Sequence, residues 1–342
     1  MEFAPLLSKL IARTDLTETE AADLFDSILA GDLNEAQIAA ILTAMATKGE
    51  AISEVTGAAR AMRRRATRIQ PLVANTLDTV GTGGDGGITF NISTTVAFVA
   101  AGAGAIVAKH GNRASSGRSG SADCLEHLGF NLNVEADIME QALNEIGICF
   151  LFAPTFHRAM KHAGPVRKSL GVRTIFNMLG PLTNPAGASC QLIGVFKPDL
   201  TEMFAHTLQA LGSRRVLVVH GCDGMDEITL TGPSRCSELK DGTIRTYDID
   251  PLNYFPDTCT PDDLAGGDPT ENALITRGIL DGSIHGHKRN ITLLNAAASL
   301  LAVNKADSIA DGITKAANAI DSGAALEKLN SLIAFSNYCA IR

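Results

Sequence analysis

Three short predicted strands, each followed at once by a glycine-rich or polar loop, constrain the fold of this chain more than any other feature. They lie at residues 77–80, 105–108 and 216–219, and an Ala/Val-rich helix is predicted to begin near Asn91 after the first loop. A short buried strand, a glycine-rich loop and a helix in this order are typical of an α/β domain. Because ligands of such domains gather at the carboxyl ends of the strands, the three loops are expected to meet at one site.

The chain before this region is predicted to be helical. Thr17 with Glu20, and Asn34 with Gln37, form capping-box patterns at the starts of helices. Glycines follow where these helices should end. Residues 1 to about 68 therefore predict three or four short helices in a small α domain. Residues 237–248 predict a β-hairpin, and the Ala-rich C-terminal part is predicted to be mostly helical.

Charge and composition exclude several classes of function. The formal net charge of −8 does not favour nucleic acid as a partner, so a site for a polyanion must be built locally. The seven cysteines are scattered and form no C-x-x-C pair, which favours a reducing cytoplasm over a disulfide framework. The N-terminal stretch has neither a basic start nor a long apolar run, so no signal peptide and no membrane span are expected.

The first loop, residues 81–87, contains five glycines in the string GTGGDGG. Glycines allow backbone N–H groups to converge on an anion, and the N-terminus of the following helix favours negative charge at the same place. The alternative is a plain turn. The spacing matches neither a Walker loop nor a dinucleotide fingerprint, which makes a dinucleotide-dependent dehydrogenase remote.

The second loop, residues 109–121, carries three cations, four hydroxyls and three glycines within the string KHGNRASSGRSGS. Such donors bind phosphate groups in several chemistries. A solvated loop is the alternative, but the nearby glycine loop favours a phosphate site.

The third loop contains Asp226 and Glu227 in the string CDGMDE. Bare carboxylates would repel a phosphate, but Mg²⁺ between the two would reconcile them, since Mg²⁺ binds a few carboxylates together with phosphate oxygens and water. For an isolated acidic pair, an ordinary exposed position is the usual interpretation. The other two loops favour the metal site here.

A fourth segment, residues 166–185, reads VRKSLGVRTIFNMLGPLTNP. It combines the basic end of a helix with a stretch punctuated by Pro and Gly, and an arginine fork could bind a substrate carboxylate in a bidentate pair. A helix with a solvated basic face is the alternative.

These four motifs, GTGGD with NIST, KHGNRASSGRSGSAD, VRKSLGVRTIFNMLGPLTNP and DGMDE, in this order and spacing, resemble those of the anthranilate phosphoribosyltransferases. The resemblance covers essentially the whole chain. It implies a small all-helical domain joined by hinges to a large α/β domain with a central mixed sheet flanked by helices. The small domain would comprise residues 1–70 with about 166–188, and the large domain residues 71–165 and 189–342.

The resemblance also implies an activity. The chain would transfer the phosphoribosyl group of phosphoribosyl pyrophosphate (PRPP) to the amine of anthranilate, in tryptophan biosynthesis. A cytoplasmic homodimer with two Mg²⁺ ions per monomer is expected, with no nucleic acid and no membrane as partners. No side chain is assigned as an obligatory acid, base or nucleophile, because an aromatic amine is already unprotonated at neutral pH.

Site residues follow from the same motif match. PRPP would be bound by Gly81, Gly84, Asp85, Thr89, Asn91, Ile92, Ser93, Thr94, Lys109, His110, Gly111, Asn112, Arg113, Ala114, Ser115, Ser116, Gly117 and Ser121. Anthranilate would be bound by Gly81, His110, Asn112 and Arg167, with Arg167 on its carboxylate. The metal ligands would be Ser93, Asp226 and Glu227.

Two related functions remain as alternatives. A pyrimidine nucleoside phosphorylase of the related fold would use inorganic phosphate and would not need the acidic pair. A homologue that binds nucleic acid without catalysis could use the basic run of Arg60, Arg63, Arg64, Arg65 and Arg68, for which a solvated helix face is the plainer interpretation.

Overall fold

The structure is a computed structural model that describes residues 2–83, 88–114 and 117–338. Its N-terminal part is helical, as predicted. The four helices are α1 (Phe3–Ile11), α2 (Glu18–Ala30), α3 (Glu35–Lys48) and α4 (Ile52–Arg65). Both predicted capping boxes are confirmed: Thr17 caps α2 reciprocally with Glu20, and Asn34 caps α3 with Gln37. Helices α2 and α4 pack closely because Gly57 has no side chain; a Cβ there would lie 2.3 Å from the Glu18 carbonyl oxygen.

The rest of the chain forms a seven-stranded mixed sheet in the order β3-β2-β1-β4-β5-β6-β7. The strands are β1 (Thr76–Gly81), β2 (Ile106–Gly111), β3 (Ile148–Phe152), β4 (Cys190–Gly194), β5 (Arg215–Gly221), β6 (Ser234–Lys240) and β7 (Thr243–Ile249). Strands β1 to β5 are parallel, and the β6–β7 hairpin adds two antiparallel strands at one edge. The predicted α/β class with a mixed sheet is therefore confirmed.

Helices cover both faces of this sheet. They are α5 (Ile92–Gly102), α6 (Ser121–His127), α7 (Ala136–Ile146), α8 (Ala153–Phe156), α9 (Gly164–Leu170), α10 (Phe176–Leu179), α11 (Leu200–Ala210), α12 (Pro269–Leu280), α13 (His287–Ala302), α14 (Ile309–Asp321) and α15 (Ala324–Tyr338). Among the described helices, none is both long and apolar enough to cross a bilayer.

Alternation along the strands divides the apolar interior into two clusters. In β5, Leu217 and Val219 belong to the cluster packed under the C-terminal helices, whereas Val216 and Val218 belong to the cluster that contains the N-terminal helices. This follows from the two-residue period of a strand. The second cluster also takes in side chains from α9 and α10. The predicted assignment of residues 166–188 to the helical domain, and the hinges, stay predictions.

The sequence analysis does not predict two of the strands, for different reasons. Strand β3 is apolar but runs directly into α8 without a glycine-rich or polar loop. In strand β4, the apolar sequence is interrupted by the polar Gln191. This side chain is buried and donates a hydrogen bond to the Pro181 carbonyl oxygen at 2.9 Å.

The basic run of the N-terminal region is a solvated helix face only in part, because Arg64 and Arg65 are exposed whereas Arg63 is not. Arg68 lies beyond the end of α4. Arg63 is largely buried and donates to the carbonyl oxygen of Leu182 at 2.7 Å. Arg60 forms an ion pair with Glu18, and Arg64 and Arg65 both form ion pairs with Asp26. Much of the positive charge of this run is therefore already paired within the molecule.

Candidate active site

A cavity of about 320 Å³ opens at the carboxyl ends of β1 and β2. The sheet order places it where strand connections reverse direction: from β1 the chain continues to β2 and β3 on one side, and β4 to β7 lie on the other. Such switch points are the usual ligand sites of open α/β sheets. The three loops predicted to converge do so here.

Nearly all described residues of the predicted site line this one cavity. They are Gly81, Thr89, Asn91, Ile92, Ser93, Thr94, Lys109, His110, Gly111, Asn112, Arg113, Ala114, Gly117, Ser121, Asp226 and Glu227. Gly84, Asp85, Ser115 and Ser116 lie outside the described residues. Arg167 does not line the cavity; its guanidinium lies over the ring of Phe176, with Cζ 5.2 Å from the ring centroid.

The second motif differs from its prediction in one respect. Lys109, His110 and Gly111 belong to strand β2, so the loop begins only at Asn112. A strand holds these side chains in fixed alternation, which a loop would not do. The difference arises because the strand continues beyond the apolar residues into the polar Lys109 and His110, which the sequence analysis assigned to the loop.

A buried carboxylate separates β1 from β2 at the cavity. The paired residues of the two strands are Thr76 with Ile106 and Leu77 with Val107. Beyond them, Asp78 accepts a hydrogen bond from the backbone N–H of His110 at 3.0 Å. Burial raises the pKa of Asp78 to about 6, and the charge of Lys109 opposes this rise.

Lys109 extends from β2 into the gap. Its ammonium donates to the Thr79 carbonyl oxygen at 2.6 Å and to the Ser93 hydroxyl at 3.3 Å. Burial lowers the pKa of Lys109, while the negative charges of Asp78 and Glu227 raise it. The cation thus lies beside the first turn of α5, where the N-terminus of a helix already favours an anion. In that turn the buried Thr94 hydroxyl has no hydrogen-bond partner among the described residues, so an entering ligand could accept or donate there.

Asp226 closes the cavity against the first loop. Its Oδ2 accepts the N–H of Gly83 at 2.8 Å. A Cβ on Gly81 would lie 2.3 Å from the same oxygen, and a Cβ on Gly194 would lie 1.5 Å from the Asp226 backbone oxygen. Glycine at these two positions is therefore a steric requirement for bringing the acidic loop onto the sheet.

These contacts fit the predicted Mg²⁺ site. Asp226, Glu227 and Ser93 line the same cavity and supply the hard oxygen donors that Mg²⁺ prefers. No group of three or more His, Cys, Asp or Glu residues is close enough to hold a metal within the described part of the chain. A cation here would therefore need oxygen atoms from the substrate or water, which is the usual situation for Mg²⁺.

His110 lines the cavity as a neutral imidazole. Burial lowers its pKa to about 3, and its Nδ1 hydrogen-bonds to the Gly180 carbonyl oxygen at 3.1 Å. Its ring lies 5.1 Å from that of His157, whose pKa burial lowers to about 4. A charged imidazolium is thus disfavoured at this point of the cavity near neutral pH.

Asp123 connects the two ends of the second loop through hydrogen bonds. Its Oδ2 accepts the N–H groups of Ala114 at 2.8 Å and Gly120 at 2.9 Å, and its Oδ1 accepts from Arg113 at 2.8 Å. Burial would raise the pKa of Asp123, but these hydrogen bonds outweigh it and hold the pKa below its usual range. Arg113 pairs with Glu126 as well.

Several cavity residues are absent from the predicted set. They are Val80, Thr82, Gly83, Phe90, Ser119, Gly120, Arg173 and Asn177. Most are direct neighbours of predicted residues. Arg173 and Asn177 are different, because Arg173 enters the cavity from the turn between α9 and α10 and Asn177 from α10 itself, whose apolar side chains are buried with the N-terminal helices.

Comparison with known proteins shows which family the fold and cavity resemble. Family models described as the a/b domain and the helical bundle domain of a glycosyl transferase family match residues 73–326 and 4–66. The anthranilate phosphoribosyltransferase of Desulfosudis oleivorans is 57% identical over 334 residues, which cover 98% of each chain.

Solved structures agree with this match. The crystal structure of anthranilate phosphoribosyltransferase from Thermus thermophilus superimposes with a TM-score of 0.92 at 41% identity, over 97% of this chain and 99% of that chain. The enzyme from Saccharomyces cerevisiae in complex with PRPP and Mg gives a TM-score of 0.90 at 28% identity, over 98% of each chain.

The role of Asp123 predicts a local effect of its removal. In Asp123→Ala, amide hydrogen exchange at Ala114 and Gly120 should accelerate by about tenfold or more, because both N–H groups lose a charged acceptor. The matched control is Glu126→Ala, which removes only an exposed partner of Arg113 and should leave both amides protected. Equal protection of these amides in the two variants would contradict the assignment.

Proposed function

The chain belongs to the family of anthranilate phosphoribosyltransferases, and we infer that it transfers the phosphoribosyl group of PRPP to the amine of anthranilate, with release of pyrophosphate, in tryptophan biosynthesis. The observation that carries this inference is the single cavity that gathers the four sequence motifs at the switch point of the sheet. The yeast relative, solved with PRPP and Mg, supports the same ligands for this chain.

We propose that PRPP is held by the predicted residues around the cavity. The first turn of α5, with the amides of the segment from Asn91 to Thr94, faces negative charge favourably. Lys109 adds a fixed cation, since its ammonium is positioned by Thr79 and Ser93. Preorganised donors of this kind stabilise charge that develops on a leaving group without reorganising during the reaction.

Ser93, Asp226 and Glu227 would hold Mg²⁺, with two ions per monomer. The bound metal would supply charge stabilisation for the departing pyrophosphate. Asp226 is oriented for this task by the Gly83 N–H, and Glu227 is balanced electrostatically by Lys109. The position of Asp226 is thus determined by the chain itself.

Anthranilate would lie toward Gly81, His110, Asn112 and Arg167. The reaction needs no strong base, because the aromatic amine carries a free electron pair at neutral pH. The neutral His110 agrees with a lining role, and burial lowers the pKa of Arg167 as well, so a carboxylate near it would gain a poorly hydrated partner. Catalysis then rests on orientation and electrostatics.

Three further properties belong to the proposal. The family resemblance supports a homodimer, which light scattering would test against a monomer mass. Six cysteines are free among the described residues, which supports a reducing, cytoplasmic location; fractionation would test it. The division into residues 1–70 with 166–188 and residues 71–165 with 189–342, with hinges between them, predicts a smaller radius of gyration in the presence of PRPP and Mg²⁺.

The activity is tested by anthranilate fluorescence. We expect the signal to fall only when both PRPP and MgCl₂ are present, and an excess of EDTA to prevent the fall, because the metal joins the carboxylates to the phosphates. A folded protein that leaves anthranilate unchanged but cleaves thymidine with inorganic phosphate would be a pyrimidine nucleoside phosphorylase instead.

The metal ligands are tested by Asp226→Asn combined with Glu227→Gln. The rate at limiting Mg²⁺ should fall by about a hundredfold or more, because the two substitutions remove the negative charge that binds the ion. Thermal unfolding should stay close to that of the wild type. The matched control is Asp257→Asn, an exposed carboxylate outside the cavity, which should change neither property. Wild-type rates in the double variant would refute the assignment.

The carboxylate contact is tested by Arg167→Ala. We expect the KM for anthranilate to rise by about tenfold, and more than the KM for PRPP, since a charge-assisted hydrogen bond contributes about 1.5–3 kcal/mol. Lys168→Ala, which removes the neighbouring exposed cation, serves as the control. Equal increases in both KM values would argue against a carboxylate contact.

A further inference from the structure

We propose that Arg173 is a further substrate-binding residue, whose guanidinium contacts the pyrophosphate group of PRPP; this rests on the proposed transferase function. Arg173 is not part of the predicted site. It lies in the turn between α9 and α10, and its side chain lines the cavity. The turn starts at Gly171, which ends α9 with φ at 64°, a conformation that favours glycine.

The guanidinium of Arg173 is held in place by an aromatic ring. Its Cζ lies 4.3 Å from the centroid of Phe196, and the N–H of Phe196 donates to the Thr82 hydroxyl at 3.1 Å. Thr82 in turn donates its N–H to the Gly194 carbonyl oxygen at 3.0 Å. Arg173 is thereby held next to the first loop, although it belongs to the chain segment on the opposite side of the cavity.

A stacked guanidinium is well suited to bind an oxyanion. Stacking on a ring leaves the N–H groups at the edge of the guanidinium available, and these match phosphate oxygens in a bidentate arrangement. The ring also restricts the side chain before a ligand binds, so that less conformational entropy is lost on binding.

The other cations of the cavity are already engaged. Lys109 donates to Thr79 and Ser93, and Arg113 is paired with Asp123 and Glu126. Within the described part of the chain, Arg173 is the only cation lining the cavity that has neither a hydrogen bond nor an ion pair. Its charge is therefore available to a ligand.

The position of Arg173 favours pyrophosphate over the anthranilate carboxylate. Thr82, which accepts the Phe196 N–H, is bonded to Gly194, and Gly194 is one of the two glycines against which Asp226 packs. Arg173 thus lies on the side of the cavity that presents the acidic pair, where phosphates would be held through the metal. Lys197, with Nζ 5.9 Å from the same ring, adds positive potential nearby.

The experiment compares Arg173→Ala and Arg173→Lys with Lys168→Ala, a matched loss of an exposed cation from the same segment that does not line the cavity. Two quantities are measured for each protein: the KM values for PRPP and anthranilate, and the Kd of inorganic pyrophosphate by calorimetry with and without MgCl₂. The calorimetric arm does not depend on turnover.

We expect Arg173→Ala to raise both the KM for PRPP and the Kd of pyrophosphate by about tenfold, with the KM for anthranilate changed by less than about twofold. Arg173→Lys should recover only part of the loss, because lysine keeps the charge but not the planar fork. Lys168→Ala should behave as the wild type.

Two results would overturn the proposal. One is an Arg173→Ala protein with wild-type KM for PRPP and wild-type pyrophosphate affinity. The other is a selective rise in the KM for anthranilate, which would place the guanidinium on the carboxylate. Failure of the transferase function itself is distinguishable, because the wild-type protein would then not consume anthranilate at all.

Discussion

The buried carboxylate of Asp78 is the interaction on which the active site depends. It takes the N–H of His110 that a ladder bond between two parallel strands would otherwise use, so β1 and β2 separate where their carboxyl ends reach the cavity. Lys109 fills the gap with an ammonium that bonds the Thr79 carbonyl oxygen. Burial disfavours the charged form of both groups, yet each stabilises the charge of the other. The pair therefore opens a polar crevice between two interior strands of the sheet without leaving either charge isolated.

The crevice is completed from both parts of the molecule. The sheet contributes the glycine segment, Lys109 and the acidic loop, and helix α5 contributes its first turn. The opposite wall comes from the chain between α9 and the Gly180 turn, whose apolar side chains are buried with the N-terminal helices. Arg173 reaches across from that wall to Phe196, and the Gly180 carbonyl oxygen reaches His110. The geometry of the site thus depends on how the helical part packs against the sheet, and a substitution far from the substrate could alter it through that packing.

The structural features that the sequence predicts well are those determined by residues close together in the chain. Capping boxes and the hairpin at Asp241 and Gly242 each act within a few residues, and the structure has all of them. The missed features have distant causes. Strand β4 is stable despite Gln191 because the turn Gly180–Leu182, which precedes the strand, supplies the carbonyl oxygen of Pro181, a contact outside the strand's own pattern. The arginines of α4 look exposed on a helical pattern, but Arg63 is covered by the segments ending at Leu182 and Leu211. Arg173 could not be separated from its basic neighbours because only Phe196, brought in by the sheet, distinguishes it.

A chain with a net charge of −8 must attract a polyanion by local means. In the proposed function, the cavity would do so with fixed donors whose positions are determined before the ligand arrives: the helix N-terminus, backbone amides, and a lysine bonded to a carbonyl and a hydroxyl. Acidic groups in the same cavity, Asp226 and Glu227, would cancel much of this attraction unless a divalent cation accompanies the phosphates. In the proposed function, the acidic pair would make binding conditional on the metal, so that the residues proposed to stabilise the leaving group would also reject metal-free phosphates. Discrimination by an element that repels the wrong ligand is as much a part of specificity as attraction of the right one.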